Sequence, residues 1–446
     1  MSGRAWLALA VAFALAAGPA AAQPCPACLR AGAARVSLGV PAGAPLAGYG
    51  SATRRPWLPD IFGRQPHAFW FQPSGGERDP LAARALVLDA GGRRFAWVAV
   101  DLLAVDRAFT GEVERRLHAV GVRPAALILS ASHTHSGPGA FVDSAVLGWL
   151  ALDRLDESVR EALIDAVVTA VRQADGARRP ARMAIGRVAT PGLVKNRLGQ
   201  ATDAELLVLK ISGTQGAPIA LVWNYAIHGT TLGPRNLRLS ADVMGEASRR
   251  LEQALGVPAL FVNGAVGDVS PSRHGDRATT DLGAELASAA QASWAQAEPV
   301  QRPTLAVGHR TVELPSPSLS LHNCLGGWLP RATQLPLASV FPRETALTAV
   351  AVGDVGWVTF PGELQTSLGQ GIKQAAGLRR VLVAGVSNDY LGYFLTPADY
   401  ARPSYISCST LYGPDTGTCL AETATALLSA VARGETPPST RASCDQ

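Results

Sequence analysis

Two histidines that stand two positions apart are the residues of this chain best suited to chemistry. His133 and His135 lie in the segment 132–139, Ser-His-Thr-His-Ser-Gly-Pro-Gly, shortly after the apolar run 125–129. In an extended backbone, residues i and i+2 point to the same side, so both imidazoles can face one point beyond the strand end. Imidazole binds metals and transfers protons near neutral pH. The spacing therefore predicts a metal centre with a working group beside it; the alternative is a polar loop with two solvated histidines.

Two further strand ends carry groups of the same kind. His228 follows the apolar run 223–227; alone it would be read as a structural histidine, but beside His133 it becomes a candidate second metal ligand. The segment 263–271, Asn-Gly-Ala-Val-Gly-Asp-Val-Ser-Pro, sets Ser270 in a glycine-rich turn that can bring its hydroxyl to a substrate. This is not the Gly-x-Ser-x-Gly elbow of the α/β-hydrolases.

A carboxylate and several tyrosines follow the later strands. Glu363 comes after the buried run 358–360, and Tyr390, Tyr393 and Tyr405 lie in short turns. Tyrosine is a rare metal ligand because a cation must overcome its pKa of about 10. Each of these residues could serve packing alone. Their shared position at the carboxyl ends of strands, where α/β sheets build their sites, favours a common function.

The elements that must position these residues alternate along the chain. The pattern predicts an α/β fold with a mixed sheet core, flanking helices and catalytic residues on loops at the carboxyl ends of strands. The predicted strands are 84–90, 95–103, 125–129, 205–211, 218–226, 258–262, 349–360 and 380–385, and the predicted helices are 111–120, 155–172, 242–255, 281–296, 365–376 and 420–432. Two long apolar loops, 51–80 and 314–345, are either walls of a site or covers of the core.

The first residues predict export. Arg4, the apolar run 5–17 and the alanines 20–22 form a signal peptide over 1–22, cleaved near Ala22, which leaves 23–446 as one catalytic domain in the periplasm or outside the cell. Six cysteines in an exported chain predict disulfides, including one in Cys-Pro-Ala-Cys at 25–28, but the pairing stays open. The net charge is only +5 and its basic residues are scattered, which argues against nucleic-acid binding.

Taken together, the motifs resemble the neutral (alkaline, non-lysosomal) ceramidase family of zinc amidases over residues 35–415. The matching segments are 133–139, Asn196-Arg197, Ile227–Thr230, Gly267–Pro271, Pro361–Glu363, Gly392-Tyr393 and Ser409–Gly413. Members of this family hydrolyse the N-acyl bond of ceramide to a sphingoid base and a fatty acid. The resemblance implies the same reaction here, on an amphiphilic N-acyl lipid and with transient contact to a membrane surface; no nucleic acid and no obligate protein partner are expected.

The resemblance also implies roles for individual residues. It puts one Zn²⁺ per chain on His133, His228, Glu363 and Tyr393, with Tyr390 as a weaker competitor for the tyrosine position. It makes Ser270 the nucleophile and sets His135, Arg197 and Tyr405 around the scissile amide. Attack by Ser270 and attack by zinc-activated water both stay open, and we favour water because the sequence shows no His–Asp partner for Ser270.

Some features depart from the family pattern. Ser272 and Ala140 stand where Asn and Gly are expected, and the chain ends at Gln446, so we expect it to lack the C-terminal immunoglobulin-like domain of larger members. These departures leave other N-acyl lipids open as substrates. Two alternatives also remain: a metal-independent serine hydrolase that uses Ser270 with His135, and a non-catalytic lipid-binding protein.

Overall fold

Two β-sheets pack face to face, and helices cover the outer face of each. The structure, a computed structural model, describes residues 29–435 and 441–445. The predicted signal peptide, Cys25 and Cys28 lie outside these residues. Between the sheets, Trp97 of one stacks on Trp357 of the other with ring centroids 5.1 Å apart. The fold is therefore a four-layer α/β/β/α arrangement, and the predicted α/β class is confirmed.

The larger sheet has nine strands. In spatial order they are Ala126–Ala131, Arg93–Val100, Ala82–Ala90, Arg30–Ser37, Arg179–Ala189, Glu205–Gly213, Pro218–Tyr225 and Ala259–Asn263, with Glu298–Pro299 paired to Arg179–Ala189. The sheet is mixed: its two outermost pairs are parallel and the central pairs are antiparallel. Helices Arg107–Ala119, Glu157–Gly176, Asp242–Leu255 and Asp276–Ala295 contribute to the hydrophobic core on its outer face.

The smaller sheet has five strands. Their order is Arg380–Ala384, Val355–Thr359, Glu344–Val352, Leu305–Glu313 and Ala442–Ser443, covered by helices Thr366–Ala375 and Thr416–Ala432. Short strand pairs join Val194–Asn196 to Val269–Pro271, Ser318–Ser320 to Gln334–Pro336, and Glu363–Leu364 to Tyr393–Phe394. The short helices are Ala52–Arg54 (3₁₀), Ala145–Leu147, Gly148–Leu152 (π), Leu321–Cys324, Pro397–Tyr400 and Tyr405–Cys408.

Local sequence explains the main elements. Helix Glu157–Gly176 begins after Asp156, whose carboxylate accepts hydrogen bonds from the backbone N–H groups of Ser158 and Val159, as a good N-cap does. The helix then buries aliphatic side chains at helical spacing against the larger sheet. Strands Ala82–Ala90 and Arg93–Val100 meet at a Gly-Gly turn with positive φ at both glycines, which is the conformation that a tight hairpin requires.

The predicted elements agree with the structure at most positions. The predicted strand 349–360 is wrong as a single strand, because the chain reverses at Gly353, where φ is +58°, and forms the hairpin of Glu344–Val352 with Val355–Thr359. The disulfide prediction is confirmed for four cysteines, which pair as Cys324–Cys408 and Cys419–Cys444. In the described part of the chain, no helix combines the length and apolar character needed to cross a bilayer.

The loops 51–80 and 314–345 fit neither of their two readings alone. Phe71 and Phe341 are buried and cover the core, whereas Trp57, Phe62 and Trp328 extend into solvent. Each loop is thus anchored at its base and exposed at its tip.

Candidate metal centre

The candidate residues meet where the carboxyl ends of strands from both sheets come together. The hydroxyl of Ser130, in strand Ala126–Ala131, is 2.7 Å from that of Ser387, which follows strand Arg380–Ala384 of the smaller sheet. The backbone N–H of Gly385 donates to the carbonyl oxygen of Asn263 at 2.9 Å. These bonds tie the two sheets together at one edge, and the predicted position of the site at strand ends agrees with this geometry.

His133, His228 and Glu363 form a compact buried cluster at that edge. The Nε2 atoms of the two imidazoles are 3.3 Å apart. The Glu363 carboxylate reaches both rings, with Oε1 3.3 Å from His133 Nε2 and Oε2 3.0 Å from His228 Nε2. All three side chains are almost completely shielded from solvent. Two imidazoles and one carboxylate therefore point at a single location.

Hydrogen bonding fixes how the His133 ring presents itself. His133 has a positive φ of 66°, which turns the chain sharply after strand Ala126–Ala131. Its Nδ1 lies 2.7 Å from the carbonyl oxygen of Leu103, and a carbonyl can only accept. Nδ1 therefore carries the proton in the neutral ring, and the lone pair of Nε2 is directed at His228 and Glu363. This is the second-sphere arrangement commonly found around metal-ligating histidines.

The cluster fits a bound metal ion. Tetrahedral zinc with bonds of about 2.0–2.1 Å places neighbouring ligand atoms about 3.3 Å apart. The separations in the cluster are close to that value: 3.3 Å between the two imidazole nitrogens, and 3.3 Å and 3.0 Å from these nitrogens to the two carboxylate oxygens. The nearest nitrogens of His133, His135 and His228 also lie within 4.8 Å of one another. Burial lowers the pKa of His228 to about 3, so its imidazole is neutral.

Two tyrosines border the cluster in different ways. The Tyr390 hydroxyl donates to Glu363 Oε1 at 2.6 Å. Tyr393 pairs directly with Glu363 in the short parallel ladder, and its hydroxyl accepts from Arg197 at 3.4 Å. Tyr393 therefore faces the neighbouring cavity, while Tyr390 contacts the carboxylate itself.

A cavity of about 690 Å³ opens above the cluster and collects the remaining predicted residues. His135, Arg197, His228, Ser270, Tyr393 and Tyr405 all line it. The Ser270 hydroxyl accepts a hydrogen bond from Arg197 Nε at 2.7 Å. Ser270 lies in strand Val269–Pro271, and Arg197 directly follows its partner strand Val194–Asn196. The Asp268 carbonyl accepts a hydrogen bond from the Arg197 backbone N–H at 2.6 Å. Ser270 is thus partnered by a guanidinium rather than by an imidazole.

His135 occupies the wall of this cavity. Its Nδ1 lies 2.9 Å from the carbonyl oxygen of Gly48, so Nδ1 donates and Nε2 keeps its lone pair. Nε2 is buried and has no hydrogen-bond partner among the described residues. Burial holds the pKa of His135 well below its usual range, so its imidazole is neutral. A neutral imidazole with a free Nε2 at a cavity wall can accept a proton.

The sequence prediction missed the segment Gly48-Tyr49-Gly50, which forms another part of the wall. The Tyr49 ring lies 4.8 Å from the His135 ring, and its hydroxyl donates to the Leu232 carbonyl at 3.4 Å. The glycines on both sides of an aromatic residue were the available signal, because they permit close approach to the histidine segment.

Comparison with known proteins agrees with the site. The family described as neutral/alkaline non-lysosomal ceramidase, N-terminal, matches residues 67–301, which is more than half of the chain. The chain belongs to this family. The matched range contains His133, His135, Arg197, His228 and Ser270, and the resemblance predicted from the motifs is confirmed.

Individual relatives point the same way. The neutral ceramidase of Pseudomonas aeruginosa is 25% identical over 430 residues, covering 74% of this chain and 64% of that protein. Neutral ceramidase A of Dictyostelium discoideum is 28% identical over 235 residues, 46% of this chain and 33% of its own length. This chain thus spans less than two thirds of either relative.

Solved structures share the fold. The crystal structure of the neutral ceramidase from Pseudomonas aeruginosa superposes with a TM-score of 0.80 at 22% identity, over 94% of this chain and 76% of that one. A structure described as ceramidase complexed with C2 gives a TM-score of 0.79 at 22% identity, over 93% and 77%. The mixed sheet with flanking helices is therefore the fold of these ceramidases.

Proposed function

We propose that this chain is an exported, zinc-dependent amidohydrolase that cleaves the N-acyl amide bond of ceramide, or of a closely related N-acyl lipid. The products would be a sphingoid base and a fatty acid. The observation that carries the proposal is the convergence of His133, His228 and Glu363 on one point beneath an open cavity. Membership of the ceramidase family supports the substrate class.

The proposed ligands of one Zn²⁺ per chain are His133, His228, Glu363 and Tyr393. The spacing of the first three donor groups supports this assignment, and the pairing of Tyr393 with Glu363 at the cavity supports the fourth. Tyr390 would instead orient the carboxylate through its hydrogen bond. Zinc bound there supplies Lewis acidity, which polarises a carbonyl and acidifies water.

The remaining residues would bind the substrate and move protons. His135 Nε2, with its lone pair free, would accept a proton from the attacking group and return one to the leaving amine. Arg197 and Ser270, which are hydrogen-bonded to each other, would hold an oxygen of the amide region by hydrogen bonds. Tyr405 would donate a further hydrogen bond to the substrate. Because Ser270 has a guanidinium partner and no imidazole partner among the described residues, we propose that it binds the substrate rather than attacking it.

The proposal is tested by measuring metal content and turnover on the same preparation. The purified protein should contain one zinc per chain and hydrolyse a fluorescent ceramide, and a chelator should abolish that hydrolysis. His133→Ala should lose both the metal and the activity. His309→Ala is the matched control, because His309 binds Thr348 and the Ala125 carbonyl instead of the cluster.

The possible results separate the substrate from the mechanism. Stoichiometric zinc with no turnover of any N-acyl lipid would refute the substrate assignment and retain the metal centre. Full turnover by metal-free protein would refute the zinc mechanism and favour a serine hydrolase. Lipid binding without turnover would favour a binding protein on this scaffold.

A further inference from the structure

Among the described residues, most of the exposed large apolar side chains lie in two loops, 51–65 and 321–333, which are attached to residues of the cavity wall. Among the described residues, the large apolar side chains with most of their surface in solvent include Trp57 (95% exposed), Trp328 (91%) and Phe62 (71%). Exposed Leu58 and Ile61 are sequence neighbours of Trp57 and Phe62, and exposed Leu325 lies three residues before Trp328. Single exposed apolar residues are ordinary, but a cluster of aromatic tips marks an interaction surface.

The first group, in loop 51–65, is attached to the cavity wall. Thr53 donates from its hydroxyl to the carbonyl of Pro234 at 3.2 Å, and Pro234 lines the cavity. Arg55 Nε donates to the carbonyl of Gly50, another lining residue, at 3.2 Å. The guanidinium of Arg55 also lies over the ring of Trp149, which is itself half exposed. The tip with Trp57 and Phe62 therefore extends from the rim.

The second group, in loop 321–333, is attached to another segment of the cavity wall. The disulfide Cys324–Cys408 joins it to helix Tyr405–Cys408, which carries the cavity residue Tyr405. Asn323 donates to the carbonyl of Tyr400 at 3.1 Å, close to the same helix. Trp328 lies four residues beyond the disulfide. Both apolar tips are thus fixed to residues that border one cavity.

The charge around these exposed tips indicates which kind of partner they bind. Loops 51–65 and 321–333 contain four arginines, of which only Arg54 is buried, and a single acidic residue, Asp60. Arg64 and Arg331 are exposed beside the apolar tips. A second copy of the chain docked through the same patch would bring like charges together, because a two-fold interface faces each patch with itself. An anionic lipid surface instead accepts both features, since aromatic tips enter the headgroup region and arginines meet the phosphates.

We propose that loops 51–65 and 321–333 are an interfacial docking surface that seats the cavity mouth on an anionic lipid bilayer. Trp57, Phe62 and Trp328 insert into the headgroup region, and Arg64 and Arg331 bind lipid phosphates. A lipid can then pass from the bilayer into the cavity without crossing water. The inference rests on the proposed function for the identity of that lipid, but the docking itself does not depend on hydrolysis.

Vesicle binding of the purified protein tests this surface. The probe is vesicles of phosphatidylcholine with and without phosphatidylglycerol, measured by sedimentation and by tryptophan fluorescence. We expect binding that phosphatidylglycerol strengthens and salt weakens. The double variant Trp57→Ser/Phe62→Ser should lower the partition coefficient by about tenfold or more, Trp328→Ser should lower it less, and Trp57→Phe should keep most of it.

Val120→Ser is the matched control. Val120 is also half exposed, but it follows helix Arg107–Ala119 and precedes the start of the strand whose far end leads to His133. This variant should bind vesicles like the wild type. All of these variants should hydrolyse a water-soluble short-acyl substrate at the wild-type rate.

Two results would overturn the proposal: no binding of the wild type to either vesicle, or equal binding by the double variant. A dimer in solution that the double variant dissociates would overturn it in favour of a second copy of the chain. Vesicle binding that the double variant loses, in a protein that hydrolyses no N-acyl lipid, would retain the docking surface and refute the proposed function.

Discussion

The side-chain amide of Asn263 donates a hydrogen bond to the carbonyl oxygen of Ser132 at 3.2 Å. The same amide donates to the carbonyl of Ile227 at 3.0 Å, and its oxygen accepts from the Ile227 backbone N–H at 3.2 Å. Ser132 and Ile227 immediately precede His133 and His228. One buried amide therefore holds the two histidine turns at a fixed separation.

Replacing that amide should weaken the proposed metal centre without removing any of its proposed ligands. We predict that Asn263→Ala lowers zinc affinity by about 10–100-fold, which is the usual effect of losing an outer-sphere partner. Competition with a chromophoric chelator measures this affinity. Asn224→Ala is the control, because Asn224 is equally buried and donates to the carbonyls of Val262 and Val383. An equal loss of affinity in both variants would contradict the specific role of Asn263.

A methyl group at Gly48 should disturb His135. A Cβ added there would lie 2.7 Å from His135 Nδ1, and the φ of Gly48 is +98°, a conformation that favours glycine. We predict that Gly48→Ala lowers kcat by about 10²-fold or more without loss of the proposed zinc, because His135 is the proposed general base and a general base contributes on this scale. Gly43→Ala is the control: φ is +84° and the added Cβ would have no atom closer than 3.9 Å, so this variant should show only the effect of backbone strain. Loss of zinc in Gly48→Ala would show that the damage extends beyond His135.

The size of the activity loss in Ser270→Ala distinguishes a binding role of Ser270 from a nucleophilic one. If Ser270 only binds substrate through its contact with Arg197, Ser270→Ala should lower kcat/KM by about 10–150-fold, the value of one hydrogen bond to a charged group. Loss of a covalent nucleophile costs far more, about 10⁶-fold in a serine protease. Steady-state kinetics and mass spectrometry of the enzyme during turnover distinguish these cases. A trapped acyl-enzyme in the wild type would reverse our assignment, and Ser272→Ala controls for nearby perturbation.

Asp389 gives a pH-dependent prediction outside the cavity. Burial raises the pKa of Asp389 to about 6 from an ordinary 3.8, so the folded protein holds this proton more tightly than the unfolded chain. The stabilisation is full below the ordinary pKa and is lost as the pH rises through the folded pKa. Between about pH 4.5 and about pH 7.5, this costs the wild type about 2 kcal/mol.

Asp389→Asn removes that proton equilibrium. The difference in unfolding free energy between variant and wild type should therefore shift by about 2 kcal/mol in favour of the variant as the pH rises over this interval. Denaturant unfolding at both pH values measures the shift. A pH-independent difference would contradict the raised pKa.

The strand ends that meet at the candidate site were predicted more completely than the sheet arrangement. Strand-end positions were readable because apolar runs end where polar residues begin, as before His133, His228 and Glu363. Besides short strands of two or three residues, three long strands were missed: Arg30–Ser37, Arg179–Ala189 and Leu305–Glu313. They alternate buried with partly exposed residues and carry arginines, so they lack a continuous apolar run. Their pairing partners are distant in sequence, which a local pattern does not reveal.

Contacts between segments were also beyond the sequence. The Gly48 carbonyl that orients His135 and the Asn263 amide that joins two turns lie 87 and 131 residues from their partners. The hydrogen bond from Tyr390 to Glu363 is likewise a product of packing. Residue types at strand ends could be predicted, whereas the atoms that orient them depended on the folded arrangement.

The division of the cluster between two sheets would make metal binding depend on the packing of the sheets against each other. His133 and His228 follow strands of the nine-stranded sheet, whereas Glu363 follows Val355–Thr359 of the five-stranded one. A cation held by all three residues would link the two sheets. Its binding free energy would then stabilise the packing of one sheet against the other. Residues 67–301 supply both imidazoles but not the carboxylate. Metal occupancy would therefore report that the whole chain has reached its native arrangement.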